Sequence, residues 1–377
     1  MTKTKVKKGP FRGDHVGSLL RPDRIKNARK QFAENEISAA ALRDIEDEEI
    51  QRLIEKQKEI GLAFVTDGEF RREYWHLDFI KQLNGILTYE EEAPGFFQGA
   101  MKKLKKYQVH GKLSFPQDHS FLEDFKFVKE AAGQHIAKFT IPGPNMILHS
   151  GIVANPYYEE NPAYASFEEA AEDVAEMYKN AIQSFYDAGC RYLQLDDTSW
   201  GALFSEDFRT RIEENGYDAQ KVTQVFADTT VKALEDKPED MTITIHICRG
   251  NFKSSWLYEG DYEPIAKDLF SRVNVDGFFL EFDSDRAGDF TPLRFIKNQK
   301  VVLGLITTKT AELEDKTEIK QRIEEATQVV PKEQLCISPQ CGFASTEEGN
   351  LLTEADQWNK LQLVLDIAKE VWGDLAD

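Results

Sequence analysis

The segment HICRGN at 246–251 closes a run, TITI, whose β-branched residues read as a strand. Strand side chains alternate between faces, so Ile243, Ile245 and Ile247 share one side, and Thr242, Thr244, His246 and Cys248 the other. One side is suited to packing. The other ends in an imidazole beside a thiol, where a soft metal ion could sit. Two further segments offer donors of the same kind. Glu281 interrupts the apolar run FFLEF at 278–282, and a carboxylate among such neighbours is costly unless paired or bound to a cation. Cys341 closes LCISPQC at 335–341, where Pro339 upsets strict alternation and leaves its direction open. His246, Cys248, Glu281 and Cys341 supply one nitrogen, two sulfurs and one oxygen from three strand ends. That set suits tetrahedral Zn2+, and its thiolates argue against Mg2+ and Ca2+. The same H-x-C spacing also fits a buried cysteine beside a hydrogen-bonded histidine.

Donors of this kind need strand ends to hold them. Strand-like runs lie near 12–18, 64–68, 137–143, 192–197, 242–248, 278–283, 301–306 and 335–341, with helical segments between them. Ser166 with Glu169 three residues on is a capping-box signal, and Gly189 stops that helix just before RYLQL. In the last helix Trp358, Leu361, Leu365, Ala368 and Trp372 fall on one face. Eight alternating β and α units predict an α/β fold of the (β/α)8 TIM-barrel type, one domain over 1–377, with its polar residues at the strand ends. Residues 84–134 break the rhythm. They are long for a βα connection and contain YQVHGKLSF (107–115), so a β-rich insertion after the second strand is expected there.

The net charge of −19 argues against a nucleic-acid partner, whose phosphates would be repelled. No run approaches the ~20 apolar residues of a membrane span, and the basic N-terminus lacks the apolar stretch of a secretory signal. Four cysteines in so long a chain do not make a disulfide framework, and Cys190 and Cys336, with no motif around them, read as structural. The expectation is a cytoplasmic protein acting on small molecules, with its oligomeric state unread. The basic run KKLKK at 102–106 is a solvated face or a holder for a polyanionic ligand tail.

HICRGN, LEFDSDRAGDF and ISPQCGF resemble the zinc-binding motifs in the catalytic barrel of cobalamin-independent methionine synthases. DHVGSLLRP, TDGEFRRE (66–73) and LQLDD (193–197) resemble the substrate motifs of that barrel, and the similarity runs in the family's order from about 12 to 345. The resemblance implies zinc on His246, Cys248, Glu281 and Cys341. It implies a homocysteine site with the carboxylate at Gly17 and Ser18 and the ammonium at Glu69 and Asp196, roles that suit backbone N–H and hydroxyl donors on one side and two carboxylates on the other. A structural salt bridge to Arg71 or Arg72 is the competing role for those carboxylates. The implied activity is methyl transfer from a folate-type donor to the homocysteine thiol, forming methionine. Zinc keeps such a thiol deprotonated, and Glu281, the one oxygen donor, is the ligand expected to make room for the substrate sulfur.

Departures from the family cluster on the donor side. GPNMILHS stands for the family's GPVTILNW, so Ser150 replaces the tryptophan that stacks on the folate, and Trp75 or Trp200 would have to offer another face. LGLITTKTAELED stands for YDIHSP, so Lys309 or a neighbour replaces a histidine thought to protonate the leaving nitrogen, unless it is a solvated loop lysine. The additional N-terminal barrel of the full-length relatives has no room in 377 residues. Methylcobalamin, a sulfonium donor or a coenzyme M-like thiol are the alternative substrates, although Glu69 and Asp196 favour an amino-acid thiol. A barrel with a closed structural zinc site is the non-enzymatic alternative.

Overall fold

The computed structural model describes residues 8–96, 101–155, 157–160 and 162–373. Its strands are β1 (Phe64–Val65), β2 (Asn84–Phe96), β3 (Met101–Ser114), β4 (Ile136–Pro142), β5 (Tyr192–Asp197), β6 (Thr242–Ile247), β7 (Gly277–Glu281), β8 (Lys300–Ile306) and β9 (Leu335–Pro339). Seven of them form a parallel sheet in the order β1-β4-β5-β6-β7-β8-β9, while β2 and β3 pair separately as an antiparallel hairpin. Parallel neighbours require crossovers. Helices Ser120–Ala132, Phe167–Asp187, Ala219–Ala233, Glu263–Arg272 and Lys316–Thr327 supply them before β4, β5, β6, β7 and β9. Every residue of β5, β6, β7 and β9 is buried. The helices cover one face and the curled interior takes the other, so both the Ile243–Ile245–Ile247 side and the Thr242–Thr244–His246 side lose water.

The sheet curls into a barrel-like α/β fold, and residues 12–19 run between its two edge strands. Gly13 forms a single parallel bridge with Ile337 of β9, and the Leu19 amide donates to the Gly68 carbonyl just beyond β1 at 3.0 Å. The strand expected at 12–18 is therefore an irregular extended segment. Side chains hold it where ladder bonds would. Lys138 of β4 donates to Asp14 Oδ1 at 2.8 Å, Tyr192 of β5 donates to Asp14 Oδ2 at 2.8 Å, and Thr66 donates to the Gly17 carbonyl at 3.0 Å. Gly17 sits at φ +141°, and a Cβ there would come within 2.6 Å of Thr140 Cγ2.

Two expectations need correction. The run at 64–68 is strand only over Phe64–Val65, because TDGE turns sharply with Gly68 at φ +63° and Glu69 at φ +59°. The insertion is shorter than 84–134: the hairpin ends at Ser114, and Ser120–Ala132 is the crossover helix into β4. That helix buries Phe121, Leu122, Phe125, Val128 and Ala132 on one face, and Gly133 at φ +64° follows its end. Other signals hold. Ser166 accepts from the Glu169 amide, Gly189 at φ +97° follows the end of Phe167–Asp187, and Leu361, Leu365 and Ala368 are buried. All four cysteines are free, and no helix among the described residues is long and apolar enough to cross a membrane.

Candidate metal centre

Strand register brings the donors together. His246, next to last in β6, lies opposite Asp196 of β5 on one side and Phe279 of β7 on the other, and Glu281 ends β7 opposite Gly304 of β8. Cys341 arrives two residues beyond β9, past an irregularity at which β8 carries one extra residue between Gly304 and Ile306. Donor atoms of His246, Cys248, Glu281 and Cys341 all lie within 4.8 Å of one another, and all four residues are buried. The two sulfurs are 3.5 Å apart.

Three of the four donors are oriented by a second contact. His246 Nδ1 lies 3.3 Å from the Phe279 carbonyl, which makes Nδ1 the donor to that oxygen and turns Nε2 towards the cluster. That Nε2 is buried without a hydrogen-bond partner among the described residues. Gly250, in the left-handed region at φ +84°, presents its amide to Cys248 Sγ at 3.3 Å. Glu281 has a hydrogen bond on both oxygens: Oε1 accepts from the Arg249 amide at 2.9 Å and Oε2 from Arg286 Nη2 at 3.0 Å. Tyr262 brackets its backbone, accepting from the Glu281 amide at 2.9 Å.

The electrostatics are those of a site short of a cation. A hydrogen bond from the Cys248 thiol, and the imidazole beside it, hold Cys341 well below the ordinary thiol range despite burial. Cys248, facing that charge in a buried place, is pushed well above it. Burial works against a charged His246, yet the Cys341 thiolate beside it raises the imidazole to about 9. An unpartnered imidazole nitrogen converging with two sulfurs and a carboxylate fits Zn2+. These four residues would hold it.

Against this cluster lies a cavity of about 20 Å3, lined by Ser18, Glu69, Asp196, His246, Cys248 and Cys341 among others. The residues expected to bind the amino-acid end thus face the residues expected to bind metal. Thr140 donates to Glu69 Oε1 at 2.7 Å, and Arg72 lies 3.4 Å from the same oxygen, so the competing salt bridge engages one oxygen. Glu69 Oε2 is buried without a partner among the described residues. Arg71 turns away to Glu46, Asp47 and Asp124. Burial, with Glu69 nearby, raises Asp196 to about 7, and burial raises Glu69 as well. Gly342 permits the close packing here: a Cβ at that position would overlap Ser18 Oγ.

Beyond Trp75, which lines both spaces, opens a cleft of about 350 Å3. Its walls include Ser150, His149, Tyr107 and Tyr258, and the hairpin contributes Leu104, Lys105 and Lys106. The two lysines are engaged, Lys105 with Glu73 at 2.6 Å and Lys106 with Glu91 at 2.8 Å. The side chains of Lys102 and Lys103 lie outside the described set. Trp200 is fully buried edge-on against Phe226, which removes it as a face for a ligand. Lys309 is no solvated loop residue. It is buried, with Nζ donating to Asn251 Oδ1 at 3.0 Å and to the Ser255 carbonyl at 3.4 Å, one layer behind a cleft wall that includes Asn251.

Sequence reasoning missed two residues of note. Arg286 was legible only as a cation three positions after Asp283, a weak signal. His149 lies in a π-helical turn, His149–Val153, where burial lowers it to about 4 and keeps it neutral.

Comparison with known proteins places this geometry. YxjH of Bacillus subtilis, described as uncharacterized, is 50% identical over 370 residues, covering 98% of this chain and 96% of that protein. A methionine synthase of Sulfurisphaera tokodaii is 21% identical over 87% of this chain and 84% of its own length. A solved structure from Listeria monocytogenes, provisionally named a vitamin-B12 independent methionine synthase, superposes with a TM-score of 0.77 at 44% identity, covering 98% of this chain and 100% of that one. Residues 12–369 match the family described as the cobalamin-independent synthase catalytic domain, and the chain belongs to that family.

Proposed function

We propose that this chain is a zinc-dependent methyltransferase that moves a methyl group from a folate-type donor to the thiol of homocysteine, forming methionine. We read the whole chain as one (β/α)8 barrel in which residues 12–19 act as the eighth stave. The observation that carries the reading is the buried, unpartnered Glu69 Oε2, which lines one small cavity together with Asp196 and three of the four metal donors.

Bound at His246, Cys248, Glu281 and Cys341, zinc would supply the Lewis acidity that keeps a substrate thiol deprotonated near neutral pH. The chain's own residues do the rest. Glu69 and Asp196 carry more negative charge than their surroundings satisfy, and an ammonium between them relieves both. Ser18, with the Gly17 backbone beside it, takes the carboxylate. The cavity has room for about one water molecule, so amino-acid binding must displace a wall, and half-buried Trp75 is the wall shared with the cleft. A cleft of about 350 Å3 suits a free, drug-sized donor better than a corrinoid. Lys309, bound to Asn251 one layer behind the cleft wall, is the group we read as the proton source for the donor's leaving nitrogen.

A second reading keeps the thiol half and changes the donor. Ser150 gives the cleft no stacking face where the family has tryptophan, which favours a donor without a pterin ring. Both readings meet one test. Zinc-loaded protein is incubated with homocysteine and, separately, methyltetrahydrofolate (mono- and polyglutamate), methylcobalamin or S-methylmethionine, with Cys248→Ser as the blank. Methionine from one donor, absent in the blank, supports the reading and names the donor. No methionine from any donor, despite bound zinc, overturns it in favour of another thiol acceptor or a non-catalytic barrel.

A further inference from the structure

The four candidate metal donors differ in what would happen to each if it were displaced. Glu281 is fully buried, and a buried carboxylate stripped of its counter-ion is strongly destabilising. It already has a second home. Arg286 Nη2 sits 3.0 Å from Oε2, the Arg249 amide sits 2.9 Å from Oε1, and neither contact involves another metal donor. Cys248 has one amide against its sulfur, and His246 has the Phe279 carbonyl on the nitrogen away from the cluster. Arg286 is itself fixed. Its Nη2 also donates to Asp283 Oδ1 at 2.7 Å, its guanidinium lies 4.9 Å from the centre of the Trp256 ring, and its carbonyl accepts from the Gly260 amide at 3.1 Å. A guanidinium held by Asp283 and the Trp256 ring, with one N–H aimed at a buried carboxylate, withdraws donor strength from it.

We propose that Arg286 is a positioning residue for substrate entry at the metal centre: it makes Glu281 the weakest-held donor and receives its carboxylate when a substrate thiol takes its place. This rests on the zinc–thiol reading above. Arg286 touches neither substrate nor reacting sulfur and acts through Glu281 alone.

The test uses full-length protein loaded with Co2+ or Zn2+, comparing wild type with Arg286→Gln and Arg286→Lys. Homocysteine is titrated into the Co2+ form and followed by its thiolate-to-cobalt absorption, while zinc loss to a chelator is followed without thiol. Loss of a charge-assisted hydrogen bond predicts that Arg286→Gln binds homocysteine about tenfold or more weakly. It should keep one zinc per chain, lost no faster than from wild type, and Arg286→Lys should recover part of the affinity. A homocysteine titration within twofold of wild type overturns the proposal. So does faster zinc loss in Arg286→Gln in step with weaker thiol binding, which is the signature of a merely structural residue. Absence of any thiol response in the wild type itself overturns the zinc–thiol reading, and the proposal with it.

Discussion

The Asp14–Lys138 pair ties the irregular segment 12–19 to the sheet, and breaking it should be expensive in a specific order. Both side chains are fully buried. Lys138 Nζ has Asp14 Oδ1 at 2.8 Å, the His15 carbonyl at 2.5 Å, and the rings of Phe279, Tyr192 and Phe64 at 4.3, 4.9 and 5.1 Å. Asp14 accepts three further bonds, from the Phe11 and His15 amides and the Tyr192 hydroxyl. Asp14→Asn strands the ammonium among rings and turns an amide NH2 towards a donor, at a cost of about 3–5 kcal/mol. Lys138→Met leaves a carboxylate that keeps three donors, and should cost about 1–3 kcal/mol. The double variant removes the stranded charge, so it should be more stable than Asp14→Asn alone. Urea unfolding followed by circular dichroism gives the order of midpoints. Burial already lowers Lys138 and Asp14 holds it up, so without Asp14 its folded pKa falls further below the unfolded value. The unfolded chain then binds more protons through that window, and the Asp14→Asn deficit should shrink as pH rises above neutrality. A double variant less stable than Asp14→Asn, or an Asp14→Asn loss under about 1 kcal/mol, would refute the reasoning.

Gly342→Ala places a methyl group where Ser18 Oγ now sits; KM for homocysteine should rise about tenfold with donor KM little changed, and an unchanged KM would remove Ser18 from the amino-acid site. Trp75→Ala should raise donor KM with only a modest loss of stability, whereas Trp200→Ala, in the core, should cost about 3–5 kcal/mol; equal stability losses would show that Trp75 is packing alone. Burial lowers His119, which accepts from the Phe121 amide and contacts the Phe79 carbonyl, to about 4. Between that value and the ordinary 6.5 the unfolded chain binds the extra proton, so this contribution is intact above pH 6.5 and fades as pH falls towards 4. His119→Asn, which keeps a capping acceptor, should flatten the acid limb of a stability–pH curve, and an unaltered limb would assign the acid sensitivity elsewhere.

What was legible in the sequence follows from how local each feature is. His246 and Cys248 share a face by strand parity, and Glu281 stands out among phenylalanines; both signals need only a few neighbouring residues. Cys341 was ambiguous because its direction depends on the extra residue of β8 between Gly304 and Ile306, a property of two strands that neither segment encodes alone. The strand at 12–18 was over-read for a related reason. It was expected to complete a set of eight, but Gly17 at φ +141° and side-chain bonds to β4 and β5 replace the ladder. The helix 120–132 was readable, since Phe121, Leu122, Phe125, Val128 and Ala132 recur at helical spacing before Gly133, and it was lost inside an insertion drawn too wide.

The cleft proposed for the donor was the least legible because its walls come from distant segments. The hairpin, the π-helical turn and the loop after β6 meet at one cleft, and no spacing rule connects them. Lys309 shows the consequence. Alone in TTKTAELED it reads as a loop cation, yet Asn251 and the Ser255 carbonyl draw it under the cleft wall from more than fifty residues away. A lysine so placed is constrained in a way a solvated one is not: its ammonium is committed to Asn251 Oδ1 and the Ser255 carbonyl. The candidate metal centre is written in strand ends, where parity exposes His246 and Cys248, while the proposed donor half is written in loop encounters. Divergence of donor within this fold should therefore proceed by changing residues such as Ser150, His149 and Lys309 while His246, Cys248, Glu281 and Cys341 stay fixed in register.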